Sequence, residues 1–266
     1  MPNYRHYRRN KLTKEFLPTI LKQKQEEVAG LTMEELKPLR LSYRLFDFLQ
    51  KHQNQLQIIA EVKKASPSMG DIKLDIDVVK QAQIYERAGA AMISVLTDEI
   101  FFKGKIDFLT EISTSVSIPT LAKDFIIDEK QIVRSRNAGA TVILLIVAAL
   151  PEKRLKELYD FALGLGLEVL VEIHNLAELE IAHRIGAQII GVNNRNLVTF
   201  EVDINTSLEL SAYFRDDKVY ISESGIFNRQ DSQIIAPYFN AILVGTALMQ
   251  ADNAADKIKE LAIDKS

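Results

Sequence analysis

The sequence contains no cysteine and no tryptophan, and no apolar run in it is long enough for a membrane helix. Without cysteine the chain can form neither disulfides nor thiolate metal sites, and it cannot use a cysteine nucleophile. A membrane span needs roughly 18 consecutive apolar residues, and no stretch approaches that length. We therefore expect a chain of a reducing compartment and assign it to the cytoplasm.

A strong charge of either sign is also missing. The formal net charge is −3 at pH 7, which does not favour nucleic acid as a partner. The first twelve residues are basic but no apolar segment follows them, so we expect a solvated tail and no signal peptide. Hydrophobic residues make up 47% of the chain, which is ordinary for a globular protein with a sizeable core.

Familiar ligand motifs are absent as well. The chain has no G-x-G-x-x-G turn and no Walker loop, so the sequence does not indicate a nucleotide site. The four histidines show no metal-ligand spacing, and we expect no metal, with histidines that are solvated or cap helices: His6, His52, His174 and His183.

Residues of about 12–52 carry a helical pattern. Apolar residues from Leu12 to Leu21 are spaced for one face of an amphipathic helix. Thr32 begins a Ser/Thr-x-x-Glu helix start, and Ser42 is a candidate cap for the next helix. We expect residues of about 1–52 to form an N-terminal helical extension, with its helices packed near the catalytic mouth of the domain that follows.

Short apolar runs then alternate with helical stretches, which is typical of βα units in a parallel sheet. The runs are continuously apolar, as expected of strands covered by helices. Eight are present: Ile58–Val62, Met92–Leu96, Pro119–Ala122, Val142–Val147, Val169–Val171, Ile189–Val192, Val219–Ser222 and Ala241–Val244. Eight units predict an α/β fold, a single (β/α)₈ TIM barrel spanning residues 1–266, with a doubly wound sheet as the alternative.

In such barrels the active site lies at the C-terminal ends of the strands, so the residues that end each run are candidates. Glu61 and Lys63 end the first run, and strand alternation points them the same way. Polar residues also end the third, fifth, sixth and seventh runs: Lys123, Glu172, Asn193, Arg195, Glu223 and Ser224. Lysines and glutamates from separate strands should therefore converge on one mouth.

Glycine turns follow the last two strands. Gly225 comes after the seventh run, and Gly245 with Thr246 comes after the eighth. Barrels of this type commonly bind phosphate at these turns, where backbone N–H groups approach the oxygens closely. We expect a phosphate group to bind there.

Together these segments resemble the indole-3-glycerol phosphate synthase family. The matching stretches occur in family order: IIAEVKKASPSMG, SVLTDEIFFKG, IPTLAKDFIIDEKQI, LEVLVEIHNLAEL, IIGVNNRNL, YISESGI and AILVGTALM. The resemblance implies ring closure, decarboxylation and dehydration of 1-(2-carboxyphenylamino)-1-deoxyribulose 5-phosphate to indole-3-glycerol phosphate, a step of tryptophan biosynthesis. It implies a carboxy-lyase that needs no cofactor.

The resemblance also implies roles for individual residues. Lys123 would be the general acid of ring closure, while Lys63, Glu61 and Glu172 would serve the dehydration, with their roles undivided. Asn193, with Glu223 near it, would hold the anthranilate carboxylate or a hydroxyl. The remaining expected binding residues flank the aromatic ring or hold the phosphate: Phe102, Phe125, Ser66, Arg195, Ser224, Gly225, Gly245 and Thr246.

Two alternatives stay open from the sequence. One is another phosphosugar barrel, either an isomerase of a ribulose phosphate or a Schiff-base aldolase that uses Lys123. The other is a non-catalytic barrel that binds an anionic ligand or a partner subunit. The expected partners are a phosphorylated small-molecule substrate and other tryptophan-pathway enzymes, with no nucleic acid or membrane. We expect a monomer or a weak oligomer.

Overall fold

The computed structural model describes residues 16–66, 70–71 and 75–265. Within these ranges eight parallel strands pair in chain order, and the eighth pairs with the first, so that Ala60 lies opposite Val244. The strands are β1 Gln55–Val62, β2 Met92–Leu96, β3 Thr120–Lys123, β4 Val142–Ile146, β5 Glu168–Ile173, β6 Ile189–Asn193, β7 Val219–Glu223 and β8 Ala241–Val244. The ring is closed, which confirms the (β/α)₈ barrel.

Helices surround the ring and extend from both of its ends. They are α1 Phe16–Gly30, α2 Leu45–Lys51, α3 Val78–Arg87, α4 Glu99–Phe102, α5 Ile106–Ser115, α6 Glu129–Asn137, α7 Glu152–Gly164, α8 Leu176–Arg184, α9 Asn205–Ser211, α10 Arg229–Ile235, α11 Thr246–Gln250 and α12 Ala254–Leu261. A 3₁₀ turn, Val147–Ala149, follows β4. Two short antiparallel pairings join Ala65–Ser66 to Gly70–Asp71 and Ile263–Asp264 to the start of β1. None of the described helices has the length and apolar character needed to cross a bilayer.

Strand alternation divides the core into two layers. On β1, Ile58 and Ala60 pack outward against the helices, whereas Ile59 points into the barrel with residues of the other strands. The same alternation turns the last residues of several strands inward. Glu61 is two residues after Ile59, and Glu172 is two residues after the interior Leu170. The mouth is therefore built by continuing the interior face of each strand beyond its apolar part.

The N-terminal extension differs from its prediction in two ways. Residues 31–44 form no helix, so the pattern at Thr32 does not start one. The N-cap of α2 is Arg44, without a side-chain capping bond, and Ser42 Oγ instead donates to the carbonyl of Tyr43. Leu12 and the basic first residues lie outside the described residues.

The two helices of the extension close opposite ends of the barrel. Ile20 of α1 and Leu45 of α2 both join the interior core. Lys24 of α1 pairs with Asp124, just beyond β3, which places α1 at the mouth. By contrast, the amide of Leu45 donates to Glu168, the first residue of β5. The expectation that both helices pack near the mouth is correct for α1 and wrong for α2, which closes the bottom.

Candidate active site

A cleft opens at the C-terminal ends of the strands and encloses about 1080 Å³ of space, part of it open to solvent. The structure brings thirteen of the sequence-predicted site residues to it: Glu61, Lys63, Phe102, Lys123, Phe125, Glu172, Asn193, Arg195, Glu223, Ser224, Gly225, Gly245 and Thr246. The side chain of Ser66, the remaining predicted residue, lies outside the described part of the chain.

Lys123 occupies the centre of the mouth. Its ammonium nitrogen lies 3.3 Å from Glu172 Oε2 and also forms an ion pair with Glu223 Oε2. Burial disfavours the charge on Lys123, but Glu223 and Glu172 outweigh burial and hold the pKa of this lysine above its ordinary value. The side chain is therefore a protonated ammonium at neutral pH.

The carboxylates around Lys123 have different environments. Burial opposes the charge on Glu172, but Lys123 and His174 outweigh it and hold the pKa of Glu172 well below its ordinary value. For Glu223, burial prevails over the attraction of Lys123, and repulsion from Glu172 adds to it, which raises the pKa to about 7. Three carboxylates near one lysine cannot all be equally stabilised, and Glu223 is the one that takes up a proton most readily.

Gly191 on β6 leaves the space in which the Glu223 carboxylate lies. A Cβ at this position would be 2.2 Å from Glu223 Oε1. This oxygen is buried and has no hydrogen-bond partner among the described residues. Gly191 is a site residue that sequence reasoning missed, because a glycine inside an apolar strand gives no indication of which side chain lies over it.

Glu61 and Lys63 form the second ion pair of the mouth, as strand alternation predicts. Lys63 Nζ lies 2.9 Å from Glu61 Oε1. Burial opposes the charge on Glu61, yet Lys63 and Lys123 keep its pKa below the ordinary value. A Cβ at Gly245 would lie 2.5 Å from Glu61 Oε1 and 3.0 Å from Lys63 Nζ. Glycine at this turn thus allows the ion pair to sit directly beside the backbone of β8.

The turns after β6 and β7 are joined by hydrogen bonds. Asn193 Oδ1 accepts from Ser224 Oγ and from the amide of Arg195, both at 3.0 Å. Ser224 and Gly225 have φ angles of 65° and 82°, so the backbone is left-handed at two successive residues. A Cβ at Gly225 would lie 2.7 Å from Val202 Cγ1. A side chain at Gly225 would therefore have to displace Val202.

Two pairs of aromatic side chains line the mouth. Phe102 and Phe125 are tilted by 33° with ring centroids 6.2 Å apart. Phe16 of α1 meets Phe200 edge-on at 4.7 Å, and both line the cleft. Sequence reasoning missed this second pair, because Phe16 was only one residue of an amphipathic pattern and Phe200 lies in a loop without periodicity.

His174 is neither solvated nor a helix cap, contrary to the sequence-based expectation. Its side chain is 11% exposed and lies between two carboxylates, with Nε2 3.4 Å from Glu172 Oε1 and Nδ1 3.0 Å from Glu178 Oε2. The available signal was its position two residues after Glu172, which turns both side chains to the same face. In the described ranges, no group of three or more His, Asp or Glu side chains could hold a metal ion.

The fold and the mouth define a (β/α)₈-barrel enzyme with a lysine–carboxylate site suited to acid–base chemistry. A family model described as indole-3-glycerol phosphate synthase matches residues 12–261. The chain belongs to the indole-3-glycerol phosphate synthase family, the carboxy-lyases of tryptophan biosynthesis. A relative of that name from Streptococcus mutans is 87% identical over 254 residues, which cover 96% of this chain and 100% of the relative. Relatives of the same name from Streptococcus sanguinis and Streptococcus thermophilus are 75% and 77% identical, with the same coverage.

Solved structures of other enzymes share the fold. A 3-hexulose-6-phosphate synthase from Salmonella typhimurium gives a TM-score of 0.63 at 14% identity, covering 77% of this chain and 96% of that one. Thiamine phosphate pyrophosphorylase from Pyrococcus furiosus gives 0.59 at 15% identity, covering 79% and 95%. At such low identity these similarities concern the barrel alone.

Proposed function

We propose that this mouth converts 1-(2-carboxyphenylamino)-1-deoxyribulose 5-phosphate to indole-3-glycerol phosphate, with Lys123 as the acid of ring closure. The family membership establishes the class of reaction and a phosphorylated small-molecule substrate. One observation carries the assignment of roles: the Lys123 ammonium lies between Glu172 and Glu223 at the centre of the cleft.

Ring closure needs an acid because negative charge develops on the ketone oxygen when the aryl carbon attacks the ketone. Lys123 is charged in the empty mouth and donates a proton to that oxygen. A carboxylate about 4 Å from an ammonium contributes roughly 4 kcal/mol at an effective dielectric of 20, so two neighbours keep the proton available. Carbon dioxide then leaves from the ring carbon that formed the new bond.

Dehydration needs an acid at the departing hydroxyl and a base at the ring proton. We assign the base to Glu172, because Lys123 and His174 keep its carboxylate ionised. Lys63 is assigned as the acid at the hydroxyl, with Glu61 2.9 Å away as its counter-ion. Electrostatic pairing thus supports a division of the roles that the sequence leaves undivided.

Substrate binding is assigned to the remaining lining residues. Phe102 and Phe125 flank the anthranilate ring, and Asn193 with Glu223 holds its carboxylate or a hydroxyl. The phosphate binds next to Lys63. Its backbone and side-chain donors come from the turns after β7 and β8 and from the segments after β1 and β6: Ser66, Arg195, Ser224, Gly225, Gly245 and Thr246. Support for this position comes from Gly245, whose virtual Cβ is 3.0 Å from Lys63 Nζ.

The Schiff-base alternative fits this geometry poorly. A lysine that attacks a carbonyl must be neutral, whereas the carboxylates around Lys123 raise its pKa. Borohydride added during turnover would trap a Schiff base on Lys123 as a stable adduct. We expect no such adduct.

Turnover of the purified chain tests the proposal directly. Because the chain has no tryptophan, its own emission is tyrosine-like, and the indole product appears as new fluorescence at longer wavelength. We expect this signal to rise together with release of carbon dioxide in equal amounts. Substrate that binds without either signal would support the non-catalytic alternative, and borohydride inactivation with a covalent adduct would support the aldolase.

Three further sequence-based expectations remain predictions. They are a single domain spanning residues 1–266, a cytoplasmic location, and a monomer or weak oligomer that associates with other tryptophan-pathway enzymes. Sedimentation of the purified chain would test the oligomeric state.

A further inference from the structure

We propose that His174 is a positioning residue for the carboxylate of Glu172, and that Glu178 holds His174 in place. The three side chains contact one another in a row, from Glu178 in the first turn of α8, through His174, to Glu172 in the mouth. The inference deepens the proposed function, because it rests on Glu172 as the base of the reaction.

The geometry gives each oxygen of Glu172 its own cation. Oε2 lies 3.3 Å from Lys123 Nζ, and Oε1 lies 3.4 Å from His174 Nε2. The contact with His174 is an ion pair in which Nε2 faces Oε1 directly. A carboxylate attracted at both oxygens cannot rotate without losing one of the two contacts.

Glu178 fixes the imidazole from the other side. Its Oε2 accepts the backbone amide of His174 at 2.8 Å and lies 3.0 Å from Nδ1. Its Oε1 accepts from Asn175 Nδ2 at 2.7 Å, and the amide of Glu178 donates to Asn175 Oδ1 at 3.0 Å. Glu178 is therefore held by the N-terminus of α8, and its carboxylate holds the histidine ring.

The charges around Glu172, His174 and Glu178 agree with this role. Burial lowers the pKa of His174, but Glu172 and Glu178, which lie 3.4 Å and 3.0 Å from its ring nitrogens, raise it to about 9. Glu172 also faces Lys123 from β3 and Asn193 from β6. The other two carboxylates of the mouth, Glu61 and Glu223, lie around the same lysine. At neutral pH the ring is an imidazolium, and it helps to balance three carboxylates.

The kinetic test compares His174→Gln with a matched histidine on α8. His183 lies in the same helix as Glu178, with Nε2 3.0 Å from the hydroxyl of Tyr220, so His183→Gln serves as the control. At low pH kcat falls because the interacting carboxylates of the mouth become protonated, and this acid limb of the pH profile reports on them as a group. Loss of a cation beside one of them raises their pKa and moves the acid limb to higher pH. For His174→Gln we expect a move of about one pH unit, a fall in kcat of about tenfold, and KM within about twofold.

Glu178→Gln provides a second variant, which keeps the imidazole of His174 but removes the carboxylate beside Nδ1. It should move the acid limb in the same direction by less, and the double variant should be no worse than His174→Gln alone, since the two residues act in series. An acid limb that stays in place in both variants, or a purely KM effect, would overturn the proposal.

A measurement without turnover separates this inference from the proposed function. The chain has only four histidines, so the NMR signal of His174 can be assigned as the one missing from His174→Gln. In the empty protein we expect it to titrate with a pKa of about 9, and at a lower pKa in Glu178→Gln. If His174 has an ordinary pKa, and if that pKa does not change in Glu178→Gln, the proposed contacts among Glu172, His174 and Glu178 are refuted, even when the enzyme is active. Conversely, full turnover by Glu172→Gln would refute the role of Glu172 while this titration stayed as expected. If His174→Gln fails to fold, variants of the other three histidines identify the His174 signal by elimination. The pKa of that signal in Glu178→Gln then tests the proposal.

Discussion

Lys24 Nζ lies 2.8 Å from Asp124 Oδ1, so a buried ion pair joins the N-terminal helix to the residue that follows Lys123. The same ammonium lies 2.8 Å from Asp98 Oδ2. Asp98 Oδ1 accepts the amide of Phe102, a residue that lines the cleft. Through these contacts α1 is attached to the two loops that carry the aromatic wall and the central lysine.

Lys24→Met should therefore affect both stability and substrate affinity. Removing one partner of a buried ion pair costs about 3–5 kcal/mol of unfolding free energy, because the carboxylates remain buried without a cation. We expect KM to rise more than kcat falls, since α1 and the loop wall shape the cleft. Urea unfolding and steady-state kinetics measure the two effects.

The control for this variant is Lys22→Met, because Lys22 is exposed on the same helix. It should leave both quantities unchanged. Burial opposes the charge on Lys24, but Asp124 and Asp98 raise its pKa above the ordinary value. The stabilisation is thus fully present at neutral pH and is lost only as pH rises through that raised pKa. Equal effects of the two substitutions would contradict the attachment.

Lys123→Ala and Lys63→Ala should fail at different steps. Loss of a general acid typically lowers the rate by about 10²–10⁴-fold, and Lys123→Ala also leaves Glu172 and Glu223 without their shared cation. We expect it to abolish ring closure. Lys63→Ala should slow turnover less completely and raise KM, because a charge near the phosphate is lost from ground state and transition state alike.

Single-turnover experiments distinguish the two lysines by timing carbon dioxide release against indole fluorescence. Lys63→Ala should release carbon dioxide before the indole signal appears. The assignment is reversed if Lys123→Ala consumes substrate at a near-normal rate while Lys63→Ala stops before carbon dioxide release.

Gly191→Ala should reduce kcat through Glu223. The added methyl would lie 2.2 Å from Glu223 Oε1, so the carboxylate must move away from its place beside Lys123. A misplacement of about 1 Å in a group that holds the substrate can cost about 10²-fold in rate. Gly164→Ala is the matched control, because a Cβ there meets no atom of the described residues within 4 Å. Normal kcat in Gly191→Ala would show that the position of Glu223 is unimportant.

Glu168 predicts a pH-dependent stability at the bottom of the barrel. Its carboxylate accepts the amides of Leu45 and Phe46, and burial raises its pKa above the ordinary value of 4.5. The folded chain therefore takes up a proton at higher pH than the unfolded chain. Protonation of Glu168 therefore adds to the free energy of unfolding. This contribution is fully present below the pKa that Glu168 has in the unfolded chain, and it is lost as pH rises through the pKa that Glu168 has in the folded chain.

Two variants measure this effect by urea unfolding. Glu168→Gln cannot titrate, so the stability of the wild type relative to it should increase as pH falls from neutrality towards 4.5. Glu168→Ala removes the acceptor of two backbone amides, that of Leu45 buried and that of Phe46 half-buried, and should cost about 1–3 kcal/mol at neutral pH. A pH-independent difference between wild type and Glu168→Gln would contradict the raised pKa.

The barrel and most of its mouth could be predicted because both depend on short-range patterns. Each apolar run marks a strand, and each first polar residue after it marks a strand end. Glu61 and Lys63 illustrate this, since alternation alone predicts that they share a face, and they form an ion pair.

Other features depend on contacts between distant segments and could not be predicted. The helical pattern of residues 16–51 carries no information about which end of the barrel each helix covers. That choice rests on partners such as Asp124 for α1 and Glu168 for α2. The pattern around His174 predicts a solvated or helix-capping side chain, whereas its partners are Glu172 and Glu178, two residues before it and four residues after it in the chain.

The pairing of β8 with β1 also has a consequence for biosynthesis of the chain. A ribosome makes β1 early and β8 late, so one edge of β1 lacks its partner strand until almost the whole barrel has emerged. An unpaired strand edge is prone to intermolecular association. Glu61 and Lys63 likewise reach their place beside Gly245 only when the ring closes. The active site should consequently appear in the last step of folding, and nascent chains truncated before residue 241 should be inactive and prone to aggregate.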